Sequence, residues 1–252
     1  MSEHLRLEID GPRATITLDR QAKRNMLESA DLGHLGDLLA QVEADPAVLV
    51  LVLTGAGDKC FCSGFAHGDV FETDWRNNPI EAVITQLEDI TRPTICALNG
   101  SVYGAAADLA LACDFRIGVS GMKLMLPAAK LGVMYNVGGM RRIAARLGPG
   151  PARRLLLACE TMDGDELLRM GYLDWLVEPD ELAARTDSLA ETLAAMAPSA
   201  VQGMKRALVA IDRGALDEDR TNEEILATFA SDDLVEGLTA FAEKRKPRFT
   251  GE

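Results

Sequence analysis

The sequence has little that would take it to a membrane, a nucleic acid or an oxidising compartment. No apolar run approaches the roughly 20 residues that cross a bilayer. The opening Met1-Ser2-Glu3-His4 has no basic stretch followed by an apolar one, so no secretory signal is expected. Positive charge is in the minority: 26 Lys and Arg against 39 Asp and Glu leave a net charge of −13. Such a chain repels polyanions, and neither nucleic acid nor an anionic membrane is expected as a partner. An anionic ligand would need cations gathered locally, and Lys and Arg do cluster at 20–24, 141–154 and 244–248. Aromatic residues make up 5% of the 252 positions while 48% are apolar, so Leu, Val, Ile, Ala and Met must fill the core. That much apolar material supports one large domain, or a domain with an appendage. Cysteines are few and odd in number. Cys60, Cys62, Cys96, Cys113 and Cys159 stand mostly in apolar contexts and read as reduced, buried thiols of a cytoplasmic protein. No spacing indicates a metal site, a flavin or a nicotinamide, so no bound cofactor is expected.

What is present is alternation of strands and helices. LRLEI (5–9) and ATITL (14–18) flank Gly11-Pro12 and predict a β-hairpin. Leu32, Leu35, Leu38, Leu39 and Val42 make a helical stripe over 29–43, with Ser29 as the expected N-cap. VLVLVLTG (48–55) is apolar throughout and predicts a strand buried on both faces. Helix over 80–90, strand at 94–98, helix over 105–112 and strand at 115–119 continue the pattern, which implies an α/β domain with crossover connections. No fixed-period repeat is evident. After about residue 139 short helices dominate, with one last strand in YLDWLV (172–177). Helices are expected over 180–196, 199–213, 219–229 and 232–246, and a soft boundary near 197 separates a body (1–197) from a helical C-terminal part (198–252).

Two Gly-containing loops, at 53–70 and 97–114, each follow a buried strand. A chain leaving a strand through such a turn exposes free backbone N–H groups. In the second loop they fall at the start of the helix from Ala105, where roughly half a positive charge favours an oxyanion. Neither loop is a dinucleotide or P-loop fingerprint, and the alternative is that these glycines only permit tight turns.

DRQAKRNML, VLTGAGDKCFCSG, NGSVYGAAADLALACD, KLGVMYNVGGMRRI and FAEKRKPRFTG occur in this order over nearly the whole chain. Together they resemble the enoyl-CoA hydratase/isomerase (crotonase) family. The resemblance implies an α/β fold built as a spiral of ββα units, with C-terminal helices that mediate homotrimers, often paired into hexamers. It implies an acyl-CoA thioester as partner, with coenzyme A arriving as part of the substrate. The thioester enolate would sit between the backbone N–H groups of Phe65 and Ala105. Coenzyme A contacts would come from the Lys23-Arg24-Asn25-Met26 turn, from the Phe65-Ala66-His67 backbone, and from Phe241 and Lys244, the latter two across a subunit boundary.

The acids depart from the family's pattern. A hydratase of this family uses two glutamates. Asp108 stands at the first position and Ala128 at the second, and alanine does no acid–base chemistry. Dienoyl-CoA isomerases of the family carry Asp at the first position, but two of their three acids are missing here. Tyr135-Asn136 instead resembles methylmalonyl-CoA decarboxylase, in which loss of CO₂ yields the enolate without a strong base. Tyr135 would orient the carboxylate and Asn136 would hydrogen-bond nearby. Decarboxylation therefore ranks just ahead of hydration by Asp108 with a carboxylate from the covering segment. His67, Asp69, Glu72 and Asp74 lie on that segment. Two further readings stay open: a non-catalytic acyl-CoA-binding member, favoured by Ala128, and a hydrolase using Ser63 or Cys62, which lack a His–acid partner and a GxSxG elbow.

Overall fold

A computed structural model describes residues 2–66, 68 and 74–251. The hairpin forms as β1 (Leu5–Asp10) and β2 (Arg13–Leu18), paired antiparallel. β2 then lies parallel to β3 (Val50–Gly55), which is followed across the sheet by β5 (Thr94–Leu98), β7 (Phe115–Val119) and β10 (Trp175–Val177), all parallel. Val50, Leu51, Val52 and Leu53 are buried, as a strand covered on both faces requires. The last strand is shorter than expected. Tyr172 and Leu173 are buried ahead of it, and the Tyr172 hydroxyl donates to the Ala107 carbonyl at 2.9 Å.

A second sheet runs through what the sequence presents as loops. β4 (Cys60–Cys62), β6 (Ser101–Tyr103), β8 (Lys123–Met125) and β9 (Met162–Asp163) pair in that order, antiparallel only at the last pairing. The chain winds repeatedly from a long-sheet strand to a short-sheet strand to a helix. β3 and β4 lead to α2 (Pro79–Asp89), β5 and β6 to α3 (Ala105–Leu111), and β7 and β8, through a 3₁₀ turn at Ala128–Leu131, to α4 (Val137–Leu147). This is the spiral of ββα units.

α1 (Ser29–Ala44) buries the expected leucine stripe, but its N-cap is Glu28 rather than Ser29. The Glu28 N–H donates to Asp31 Oδ2 at 2.7 Å, which satisfies one of the donors a helix start leaves open. The remaining helices are α5 (Pro149–Leu156), α6 (Gly164–Arg169), α7 (Leu182–Ala194), α8 (Pro198–Asp212), α9 (Glu218–Phe229) and α10 (Asp232–Glu243). α7 packs on the long sheet. α8 is pinned to the N-terminal ends of β5 and β7 by Lys205, whose ammonium lies 2.8 Å from both the Asp114 carboxylate and the Arg92 carbonyl. Asp114, just before β7, also accepts from the Thr94 N–H at 2.7 Å, which ties the starts of β5 and β7 together. α8, α9 and α10 leave much apolar surface uncovered, including Leu208, Leu226, Phe229, Val235 and Phe241.

Candidate active site

The two loops meet. Leu27 forms a parallel bridge with Phe65, in which the Leu27 N–H donates to the Gly64 carbonyl and the Ala66 N–H to the Leu27 carbonyl. In a parallel bridge the middle residue turns its own N–H to the opposite side, so the Phe65 N–H faces away from Leu27. Gly64 adopts φ +96°, and a Cβ there would lie 2.9 Å from the Tyr103 carbonyl oxygen and 3.7 Å from the Ala105 nitrogen. Only glycine lets this loop approach the start of α3 so closely. Neither the Phe65 nor the Ala105 N–H makes a hydrogen bond among the described residues. Beside them lies a narrow apolar cleft, walled by Phe65, Ile80, Ile84, Ala105, Ala106 and Leu109.

One turn beyond Ala105, Asp108 points into a buried ion cluster rather than presenting a free acid. Its oxygens accept from Arg142 Nε at 2.7 Å and Nη2 at 2.9 Å, and its side chain is wholly buried. Asp108 is thus ion-paired with Arg142 in this structure. Arg142 Nη2 also reaches the Glu81 carboxylate at 3.1 Å, and Nη1 lies 3.3 Å from Glu88 Oε2. The same Glu88 oxygen accepts from Arg141 at 2.8 Å and from Arg213, just beyond α8, at 2.6 Å. Burial pushes the Glu88 carboxyl up, but hydrogen bonds from Arg213 and Arg141 outweigh it and hold the group below its usual range. For Arg142, burial disfavours the charge, yet the hydrogen bond and charge of Asp108, with Glu88 and Glu81, raise its pKa on balance. The basic cluster at 141–154 therefore serves partly to neutralise buried carboxylates. Arg142, Glu81 and Glu88 carried no signal in the sequence, since pairing across three helices leaves no local spacing.

Tyr135 is half-buried, and its hydroxyl donates to the Gly104 carbonyl at 3.3 Å, immediately before Ala105. Burial pushes its phenol well above the ordinary range, and the charge of Asp108 adds to the effect. The group stays a protonated donor. Asn136 is the N-cap of α4: its Oδ1 accepts from the Gly139 N–H at 2.5 Å. That oxygen is engaged by the helix start. Gly139 is where these groups close up, because a Cβ there would stand 2.7 Å from Asp108 Oδ2 and 2.9 Å from Asn136 Oδ1 and would overlap the Tyr135 ring.

The basic turn lies against the first loop. The Ser63 N–H donates to the Arg24 carbonyl at 2.9 Å and the Ser63 hydroxyl to the Lys23 carbonyl at 3.2 Å. Arg24 and Asn25 are both left-handed, and the buried Asn25 amide ties the turn to the Ala56 and Cys60 carbonyls at 2.9 Å. Lys23 and Arg24 remain exposed, and Met26 is half-buried. Ala66 is buried and its N–H is taken by Leu27, so that donor is not open to a ligand. His67, Asp69 and Glu72 lie outside the described residues. Asp74 accepts from the Arg76 N–H at 3.1 Å and caps the short 3₁₀ helix Trp75–Asn77. Phe241 is 86% exposed and Lys244 forms the left-handed C-cap of α10, a helix that packs on α9. Burial pushes the Cys62 thiol up to about 12, so it is not a ready thiolate nucleophile.

Comparison with known proteins gives the same family as the motifs. The sequence profile of the enoyl-CoA hydratase/isomerase family matches residues 9–252. The chain is 34% identical to carnitinyl-CoA dehydratase of Salmonella arizonae over 100% of both chains. It is 32% identical to short-chain-enoyl-CoA hydratase of Clostridium acetobutylicum over 95% of both. Its fold superposes on the crystal structure of enoyl-CoA hydratase from Bacillus anthracis with a TM-score of 0.89 at 27% identity, covering 99% of this chain and 100% of that one. A chain with these loops, this ββα spiral and these full-length relatives belongs to the enoyl-CoA hydratase/isomerase family.

Proposed function

We propose that the protein adds water to, or removes it from, a short 2-enoyl thioester of coenzyme A. The observation that carries this reading is the convergence of two unengaged backbone donors, Phe65 N–H and Ala105 N–H, beside a narrow apolar cleft. Donors held by the fold stabilise the negative charge that develops on a thioester oxygen without reorganising during the reaction. The full-length relatives named hydratase and dehydratase support water as the second reactant. The cleft is apolar along its walls and narrowed by Phe65, which favours a short hydrocarbon acyl group. Lys23 and Arg24 would meet the phosphates of coenzyme A, with Met26 and the Phe65–Ala66 backbone beside its pantetheine arm. Phe241 and Lys244 would reach a neighbouring subunit of a homotrimer or a hexamer assembled through the 198–252 helices, whose uncovered apolar faces support such assembly.

Decarboxylation of a malonyl-type thioester is the second reading. It is favoured by Tyr135, a protonated donor whose hydroxyl lies beside Gly104 at the mouth of the same donors. The test is mass spectrometry of the products from crotonyl-CoA and methylmalonyl-CoA, with Tyr135→Phe in parallel. Gain of one water on crotonyl-CoA supports hydration. Loss of CO₂ from methylmalonyl-CoA, abolished in Tyr135→Phe, replaces that reading with decarboxylation. Binding of both thioesters without change in either leaves an acyl-CoA-binding protein.

A further inference from the structure

Resting on the water-addition reading, we propose that Glu81 is the carboxylate that moves protons in this site. Hydration needs a group that takes a proton from water and gives one to the α-carbon. Among the described residues, three carboxylates gather around Arg142. Asp108 has both oxygens clamped by the guanidinium and a side chain with no exposed surface. The Glu88 side chain is 3% exposed, and one oxygen serves three arginines. Both Glu81 oxygens also accept from Arg142 Nη2, at 3.2 and 3.1 Å, but Glu81 differs from the other two in exposure, with 27% of its side chain open.

Its position is built by the fold. Glu81 sits in the first turn of α2, and its neighbours Ile80, Val83 and Ile84 wall the apolar cleft. Asn78 fixes that turn, accepting from the Ile80 N–H at 3.0 Å and the Glu81 N–H at 3.1 Å. Arg142 Nη2 bridges Glu81 at 3.1 Å and Asp108 at 2.9 Å, which ties the carboxylate to the turn of α3 that starts at Ala105. Thr85 donates to Glu81 Oε1 at 3.3 Å. On the facing helix the residue is Gly138, and any Cβ there would overlap the Glu81 carboxylate. The charged and titratable groups facing it are thus Arg142 from α4, Asp108 from α3, Glu88 from its own helix, and Tyr135 from the loop before α4.

In the forward direction, the Glu81 carboxylate removes a proton from water as the water oxygen bonds to the β-carbon. The electron pair of the C=C bond shifts through the α-carbon onto the thioester oxygen, held by the Phe65 and Ala105 N–H groups. The carboxylic acid then returns its proton to the α-carbon as the thioester carbonyl re-forms. One water has been added and Glu81 is again ionised. Asp108 acts on this chemistry only through Arg142 and is a positioning residue.

The experiment compares the parent chain, Glu81→Gln and Glu81→Asp in three measurements: crotonyl-CoA turnover, exchange of the α-hydrogens of butyryl-CoA in D₂O, and butyryl-CoA affinity, with thermal melting as the folding control. Glu81→Gln is expected to lose about 10²–10⁴-fold in kcat and to lose exchange, with affinity unchanged and a cooperative melting transition that shows it is folded. Glu81→Asp is expected to recover part of both activities. If Glu81→Gln fails to fold, Glu81→Asp decides: lowered kcat at unchanged affinity supports the assignment, and parental kcat overturns it. Parental turnover and exchange in folded Glu81→Gln makes Glu81 a structural partner of Arg142 and overturns the proposal while hydration stands. No turnover and no exchange in the parent chain removes the hydration reading, and the role of Glu81 with it.

Discussion

At the scale of single residues, the energetics of the site turn on Arg142. Its guanidinium is 1% exposed and is the shared counter-ion of Asp108, Glu88 and Glu81. Replacing both members of a buried pair by apolar groups is often tolerated, but removing one member strands the other's charge. Arg142→Met is therefore expected to cost roughly 3–5 kcal/mol, read as a lower midpoint in urea unfolding. Glu88 gives the cluster a pH dependence. Its folded pKa lies below its ordinary value of 4.5, so it contributes stability that is fully present above that value. The contribution is lost as pH falls through the folded pKa, where both states become protonated. Melting temperature measured across the acid range should fall less steeply in Glu88→Gln than in the parent chain. Residue type alone does not show how Asp108 is held. An acid at this place in the motif looks available for catalysis, and only its partner, 34 residues away, shows that it is engaged.

At the scale of elements, the long sheet was legible because all its strands but the last are alternating or apolar runs of five or six residues, and Thr94–Leu98 and Phe115–Val119 begin and end where the pattern places them. The short sheet was not legible. β4, β6 and β8 are three residues each, too short to show alternation, and exist because their neighbours supply the hydrogen bonds. That sheet brings the two Gly loops together, so the convergence of Phe65 and Ala105 was readable only through family resemblance. α3 offers a direct test of the backbone donor. Ala105 is its first residue, a position where proline fits a helix and removes only an N–H that the helix leaves unpaired. If the Ala105 N–H holds the thioester oxygen, Ala105→Pro keeps its fold by circular dichroism and loses about 10²–10³-fold in kcat.

At the scale of the whole molecule, the net charge is −13, and the proposed coenzyme A site would offset it by local placement, with Lys23 and Arg24 exposed beside the first loop. No helix among the described residues is long and apolar enough to cross a membrane. The apolar faces of α8 to α10 have a different destination: Phe229 is 69% exposed and Leu226 67%. Exposed apolar side chains on neighbouring helices are what a subunit interface would cover. Light scattering on the eluted protein is expected to give a trimer or hexamer, and Leu226→Lys with Phe229→Lys is expected to give monomers. The sequence by itself determined the α/β class, the parallel long sheet, the helical C-terminal part and the family, because apolar periodicity and ordered motifs are local properties of a chain. Tertiary structure alone decided which acids are free. Pairing among Asp108, Arg142, Glu81 and Glu88 depends on the meeting of α2, α3 and α4, and burial there sets what each carboxylate can touch.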